Sequence, residues 1–312
     1  MDLDGRRILI TGGAGHVGSQ LAASLAETSE VIVLDDLSTG RRERIPDSVT
    51  FHEVDVADST ATASFFSDVD VVFHLAVAEK DVSAGAREQF EANVDVTFGV
   101  LEAAIEAEVE GVLFTSSSTV YGEDVPRPTP ESYGPLAPIS PYGAAKAAEE
   151  AILSTATERA DLDIWIARLA NVVGPVFDGS VTPDFVEKLT DDPDRLEILG
   201  DGRQEKSFIH VEDVATALET IVREDPGPYG VYNVGTPAAI SIRYLADIVA
   251  EVLECEPRYE YTGGDRGWTG DVPRMELDVD RLQSLGWSPT YSCEEAVRRA
   301  ATQLADCVAR PR

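Results

Sequence analysis

Six short apolar runs alternate with helix-length segments through the first half of the chain, and that alternation leaves few folds open. The runs lie at 8–11, 31–34, 50–54, 71–75, 112–116 and 164–169. They are almost continuously apolar, as strands covered on both faces of a parallel sheet are. Helix-like segments fall between them at about 16–27, 59–67, 87–107 and 141–159. This β-α alternation predicts a doubly wound parallel α/β sheet. Residues 122–141 carry Pro126, Pro128, Pro130, Pro135, Pro138 and Pro141, and read as an ordered surface loop leading into a helix.

After Asn171 the rhythm changes. Proline, glycine and charge mix through 174–206. A strand-like Phe208-Ile209 follows, then a helix from Val211, a strand near 231–234, and helices near 241–254 and 292–306. The expected division is a Rossmann-type unit over 1–173, its sheet completed by elements within 207–238. A smaller substrate-binding lobe over 174–312 is interleaved with it.

The first run ends in a glycine-rich turn, TGGAGHVGS. Gly13, Gly15 and Gly18 satisfy G-x-G-x-x-G, and Gly12, Gly15 and Gly18 satisfy G-x-x-G-x-x-G. Small residues let the backbone approach a pyrophosphate, and the helix that follows supplies amide donors and a positive dipole end. Asp35 closes the next run, 17 residues after Gly18. A carboxylate there accepts from the adenosine ribose and repels a 2′-phosphate, and Asp36 adds a second charge. NAD is therefore expected over NADP, with Arg41 and Arg42 placed in the following loop. Asp55 and Val56 end the third run, where adenine would lie. Leu75 and Ala76 end the fourth, where backbone would pass the cofactor, and His74 reads as structural.

Tyr142 and Lys146 stand four apart, on one face of a helix. A nearby ammonium favours the tyrosinate of a phenol whose pKa is otherwise ~10. Ser116, Ser117 and Ser118 end the fifth run, 25 residues before Tyr142 counted from Ser117. These are the parts of a nicotinamide-dependent site acting on an alcohol: Tyr142 as base, Lys146 lowering its pKa and reaching the nicotinamide ribose, Ser117 orienting the hydroxyl.

With these residues in place the chain resembles the extended short-chain dehydrogenase/reductases, and among them the UDP-glucose 4-epimerases. The likeness rests on TGGAGHVGS, FTSSSTVYGE, SPYGAAK, RLANVVGP, FIHVEDVA, YNVGT and GDRGWTGDVP. It implies bound NAD that is not consumed and inversion of carbon 4 of a nucleotide sugar through a 4-keto intermediate. It implies roles for Ser117, Tyr142 and Lys146 as above, with His16-Val17 a neutral change inside the cofactor turn. Asn93 would lie beside the cofactor, and Asn171 against the sugar-nucleotide phosphates. Where the family commonly has arginine for the diphosphate this chain has Lys206, which keeps charge without bidentate geometry; Arg203 and Arg266 are candidates to compensate. Met275 stands near a position that restricts N-acetylated sugars in some relatives. Ser117 and Ser118 complete the sugar-side set.

Rival readings share the fold. A 4,6-dehydratase or decarboxylase of the family would place carboxylates after the active-site hydroxyl, where this chain has Ser118-Thr119. A dehydrogenase or reductase would exchange its cofactor each turnover. A dinucleotide-binding scaffold would tend to lose the tyrosine or lysine. The helices at 87–107 and 141–159 carry Phe90, Val94, Phe98, Leu101 and Ile152, and the resemblance implies a homodimer through them.

Composition narrows the partners. Asp and Glu total 57 against 25 basic residues, for a net charge of −32. Acid spread along the whole chain repels nucleic acid and anionic membrane. No apolar run approaches the ~18 residues of a bilayer span, and no leader-length apolar segment precedes the first strand, so a cytoplasmic protein is expected. Cys255, Cys293 and Cys307 match no zinc spacing, and the four histidines do not cluster, so no metal is expected. Such a surface self-repels in dilute buffer. At ~1 M salt, where the Debye length is only ~3 Å, the repulsion is screened. Salt adaptation is the hypothesis, and it predicts a melting temperature that rises from dilute buffer to molar salt. A melting temperature independent of salt would refute it.

Overall fold

The computed structural model describes residues 1–78, 85–176, 179–225 and 227–309. The six apolar runs form strands β1 (Arg7–Thr11), β2 (Glu30–Asp35), β3 (Thr50–Glu53), β4 (Val71–His74), β5 (Gly111–Ser117) and β6 (Asp163–Leu169). Between them lie α1 (His16–Leu25), α2 (Ser59–Thr62), α3 (Ala86–Glu106) and α4 (Pro141–Ser154). The helix expected at 59–67 is only α2, capped by the Asp58 carboxylate and continued as a 3₁₀ turn, Ala63–Phe66. The helix expected at 141–159 stops at Ser154 and resumes as a 3₁₀ turn, Ala156–Glu158.

The second half contributes β7 (Asn171–Val173), α5 (Val181–Asp191), β8 (Arg195–Ile198), β9 (Glu205–Lys206), β10 (Phe208–His210) and α6 (Val211–Glu224). Then come β11 (Tyr229–Val234), β12 (Ile240–Ser241), α7 (Ile242–Val252), β13 (Arg258–Tyr261), β14 (Arg274–Met275), α8 (Asp280–Ser284) and α9 (Cys293–Ala309). β11 lies beside β6, giving a seven-stranded sheet in the order β11-β6-β5-β4-β1-β2-β3, parallel throughout. The chain first builds outward from β1 through β2 to β3, then crosses back to β4. α5 and β8 fall within 174–206, where mixed composition hid them. α5 nevertheless buries Phe185, Val186 and Leu189 on one face.

Successive strand residues point to opposite faces. Ile8, Ile10, Val31 and Val33 pack with Leu21 of α1 and Leu218 of α6. Leu9, Ile32, Leu34 and Phe114 pack on the other face with Val96 and Val100 of α3 and Leu153 of α4. A third apolar cluster joins Phe185, Ile198, Phe208, Leu245, Val249, Val297 and Leu304, so α5, α7 and α9 share a core apart from the sheet.

One buried ion pair ties α4 to the sheet. Arg168 of β6 donates to the Glu150 carboxylate through Nε (3.0 Å) and Nη2 (2.6 Å). Ser116 Oγ donates to the same carboxylate at 2.5 Å. Arg168 Nη1 donates to Tyr121 Oη (2.9 Å), and Tyr121 donates to Asn233 Oδ1 (2.8 Å). The Asn233 amide then donates to the carbonyls of Thr129 and Asp278, both at 2.9 Å. The proline-rich segment 122–141 is thereby pinned to β11.

Removing one member of such a pair strands a charge in the interior. Arg168→Met should cost about 3–5 kcal/mol in denaturant unfolding. Arg168→Met combined with Glu150→Leu should cost less than the single change, since no orphan charge remains. Equal losses in the two variants would show that packing, and not the stranded charge, sets the penalty.

Candidate active site

The crossover between β1 and β4 opens a crevice at the carboxyl ends of the strands, where sheets of this topology bind ligands. A cleft of about 840 Å³ lies there. It is lined by the turn after β1, by Asp35 and Asp36 after β2, Asp55 and Val56 after β3, and Leu75 and Ala76 after β4. Ser116 and Ser117 of β5 and Tyr142 of α4 close the other end.

The turn after β1 needs its glycines. Gly12 has φ +70°, and a Cβ on it would stand 2.7 Å from the Ala76 nitrogen. A Cβ on Gly18 would stand 2.3 Å from the Gly12 carbonyl oxygen. Gly15 caps α1 without a side-chain bond, and no acid occupies the first turn. The first amides of α1, with Gly15, His16, Val17 and Gly18, therefore border the cleft and present its positive end. A dinucleotide pyrophosphate suits this cradle.

Asp35 is nearly buried. Its Oδ2 accepts from Ala14 N and its Oδ1 from Leu37 N, both at 2.9 Å. Burial lifts its pKa above the usual carboxylate value against those two bonds. Asp36 is exposed and accepts from Ser38 N at 2.9 Å. Arg41 and Arg44 border the same end of the cleft, so Arg41 does more than occupy a following loop. Arg42 instead lies over the Phe51 ring at 5.0 Å. Asp55 Oδ1 accepts from Ala57 N at 2.8 Å, which shapes the edge above β3.

At the other end, Ser140 caps α4 by accepting from Gly143 N at 3.1 Å, and Pro141 occupies the first turn. Tyr142 is half-buried at the cleft. Lys146, one turn further on, is 1% exposed. Its Nζ is 6.0 Å from the centre of the Tyr142 ring, 4.3 Å from that of Phe114 and 3.5 Å from Glu149 Oε2. Burial pulls the lysine pKa down, opposed by Glu149 and Glu150. Ser117 Oγ accepts from Thr119 Oγ1 (3.0 Å) and Thr119 N (3.3 Å). Ser116 borders the cleft but spends its hydroxyl proton on Glu150, and Ser118 is buried. An alcohol brought to this end would meet a phenol and a serine hydroxyl, with an ammonium beneath them.

Several residues expected at the site stand elsewhere. Asn93 is buried behind the cleft, accepting from Ala78 N (3.0 Å) and donating to Gln89 O (2.9 Å), so it fastens the loop after β4 to α3. Asn171 is exposed and donates to Ser207 O at 3.1 Å. Lys206 requires correction as a diphosphate ligand. Its buried ammonium is engaged by the Asp271 carboxylate and the Val272 carbonyl, so it braces β9 against the segment before β14. Met275 also requires correction. At 3% exposure it packs in the apolar core of the sheet, since β14 turns its side chain inward. Arg203 is exposed and lines neither opening described here. Arg266 borders a second, shallower opening of about 530 Å³ with Glu123, Ile139 and Trp268. There its guanidinium forms a two-point pair with the Glu123 carboxylate.

Glu149, Thr97 and Glu123 escaped the sequence reading. Glu149 had a readable signal, three residues beyond Lys146 on the same helix face. Thr97 and Glu123 had none, because tertiary packing alone brings them to these partners.

The profile of the NAD dependent epimerase/dehydratase family matches residues 8–235. Among solved structures the chain is similar to a crystal structure of UDP-galactose 4-epimerase, with a TM-score of 0.87 and 40% identity over 97% of this chain and 99% of that one. Among curated proteins it is 30% identical to a putative UDP-glucose 4-epimerase of Methanocaldococcus jannaschii, over 95% of this chain and 98% of the relative. It is also 30% identical to the dTDP-D-glucose 4,6-dehydratase of Mus musculus, over 94% of this chain and 87% of that protein. With a family match across most of its length and relatives aligned nearly end to end, the chain belongs to the NAD dependent epimerase/dehydratase family.

Proposed function

We propose that this protein is a nucleotide-sugar 4-epimerase, with UDP-glucose and UDP-galactose as the substrate pair. The observation that carries the reading is the meeting of Tyr142, Ser117 and buried Lys146 at one end of the dinucleotide cleft, with no carboxylate following Ser117. Ser118 and Thr119 stand there, and Thr119 is committed to Ser117. Removing water across carbons 5 and 6, as a dehydratase does, needs an acid/base pair at that place.

When bound, NAD supplies the oxidation of the sugar carbon and its reversal. The chain supplies the rest. Gly12, Gly15, Gly18 and the first amides of α1 would hold the pyrophosphate, and Asp35 and Asp36 would meet the adenosine ribose. Val56, Leu75 and Ala76 are its apolar walls. Tyr142 accepts the proton of the 4-hydroxyl and returns it when the 4-keto sugar has turned over. Ser117 donates to the same oxygen and holds it against Tyr142. Lys146, charged, favours the tyrosinate and offers its remaining donors to the nicotinamide ribose. Arg266 beside Trp268 is the cation assigned to the substrate diphosphate, once Glu123 releases it. Asn171 is assigned to the same side.

The test is proton NMR of the purified protein with UDP-galactose in molar salt, without added NAD. UDP-glucose should appear. Tyr142→Phe should slow its appearance by roughly 10²–10⁴-fold. A 4-keto-6-deoxy sugar in the tube would move the assignment to dehydratase.

We further read the protein as a cytoplasmic homodimer paired through α3 and α4. Those helices pack side by side, and Phe98 on α3 is 42% exposed. Sizing in molar salt should give a dimer. A monomer at micromolar concentration would exclude it.

A further inference from the structure

α4 brings Lys146 and Glu149 together in a place that water does not reach. Each side chain is 1% exposed, and Glu149 Oε2 lies 3.5 Å from Lys146 Nζ. The Phe114 ring, 4.3 Å from Nζ, covers another side of the ammonium with a face that attracts cations. Nζ makes no hydrogen bond among the described residues.

The other oxygen of Glu149 ends a polar chain that crosses the core. Thr97 Oγ1 of α3 donates to Glu149 Oε1 at 2.7 Å. That uses the one proton of the Thr97 hydroxyl, so at 3.0 Å the Thr97 oxygen accepts from His74 Nε2. His74 Nδ1 then accepts from Thr11 Oγ1 at 2.8 Å. Burial and the charge of Lys146 bring the His74 pKa down to about 3, so the ring is neutral, as this polarity requires. Every proton in the chain points toward Glu149 Oε1, while Glu149 Oε2 has no hydrogen-bond partner among the described residues and faces Lys146 at 3.5 Å. The chain starts at Thr11, immediately before Gly12 of the cofactor turn, and ends at Glu149, beside Lys146.

We propose that Glu149 is a positioning residue that holds the Lys146 ammonium charged and in place beneath Tyr142, and so sets the pH range in which the Tyr142–Lys146 pair operates. The proposal rests on the roles given above to Tyr142 and Lys146. A lysine in so dry a site drifts toward the neutral amine, which cannot favour a tyrosinate. A carboxylate beside it opposes that drift. The other groups that act on Lys146 are Tyr142 and Glu150 on α4, His74 on β4 and Phe114 on β5, with Thr97 of α3 reaching it through Glu149. Glu150 also favours the charged lysine but is itself paired with Arg168 of β6. His74 is neutral, and the others are uncharged or are the phenol itself. Glu149 is thus the nearer carboxylate and the one paired directly with Lys146.

The variant is Glu149→Gln, which keeps the acceptor for Thr97 and removes the charge. Without Glu149 the lysine loses its proton at lower pH, so the alkaline limb of the kcat/KM profile moves down. Without a negative charge nearby the phenol also ionises at lower pH, so the acid limb moves down too. Both limbs should move toward acid by at least about one pH unit, while Glu149→Asp should restore the wild-type profile. A second readout needs no turnover. Calorimetric affinity for NAD, measured without substrate across pH, should weaken above the lysine's titration, and at lower pH in Glu149→Gln than in wild type. If the wild type fails to epimerise UDP-galactose, the proposed activity falls, and the NAD titration still decides this proposal. If Glu149→Gln lowers the melting temperature while both pH profiles stay in place, Glu149 is only a cross-link between α3 and α4 and the proposal is overturned. Should Glu149→Gln not fold, Thr97→Val gives the same test. It weakens the hold on the Glu149 carboxylate, and profiles identical to wild type would count against the proposal.

Discussion

Three charged side chains of α4, Lys146, Glu149 and Glu150, are buried under the cleft, and the surroundings are arranged to compensate them. Taking a charge from water costs several kcal/mol unless it is paired and hydrogen-bonded. Glu150 is answered by Arg168 from β6 and Ser116 from β5. Glu149 is answered by Lys146 from its own helix and Thr97 from α3. Three of these four answers come from other elements, β5, β6 and α3, and they fix where α4 docks. Tyr142, on the first turn of α4, inherits that precision. The Arg168 contact extends further, through Tyr121 and Asn233, to the proline-rich segment and to β11.

The use of lysine fits the same constraint. The chain has only four, and of those described Lys146 and Lys206 are both buried against carboxylates. Lys188 alone is half-exposed, paired with Asp184. Two of the three described lysines thus serve interior pairs. This is why Lys206 could be mistaken for an anion ligand: from sequence, a rare cation in an acidic lobe points to a phosphate. In the fold, Asp271 arrives from 65 residues away and takes the charge.

Helix α1 and the crossover between β1 and β4 make the other half of the site. The glycine turn is narrow because the loop after β4 presses on Gly12, and because α1 packs on that turn through Gly18. Asn93 holds the loop after β4 from behind, so a residue expected to touch a cofactor acts one layer back. Asp35 is likewise part of the architecture as well as a wall of the cleft, since its two oxygens close the turns at Ala14 and Leu37.

The strands through β6, the order of helices between them, the glycine turn and the Tyr142–Lys146 pair were legible in the sequence alone. Each is a local pattern: an apolar run, a turn chemistry, or a spacing on one helix face. Family membership followed from the same local signals. The packing of the second half was not legible, because α5 and β8 carry mixed composition and bury their apolar faces only against α7 and α9. Nor could the sequence decide which polar groups face the cleft. Met275 turns into the core, Lys206 into an ion pair, and Glu149 between Thr97 and Lys146. Those outcomes depend on partners tens of residues away, and on which charges burial forces to find one another, so only the tertiary structure decided them.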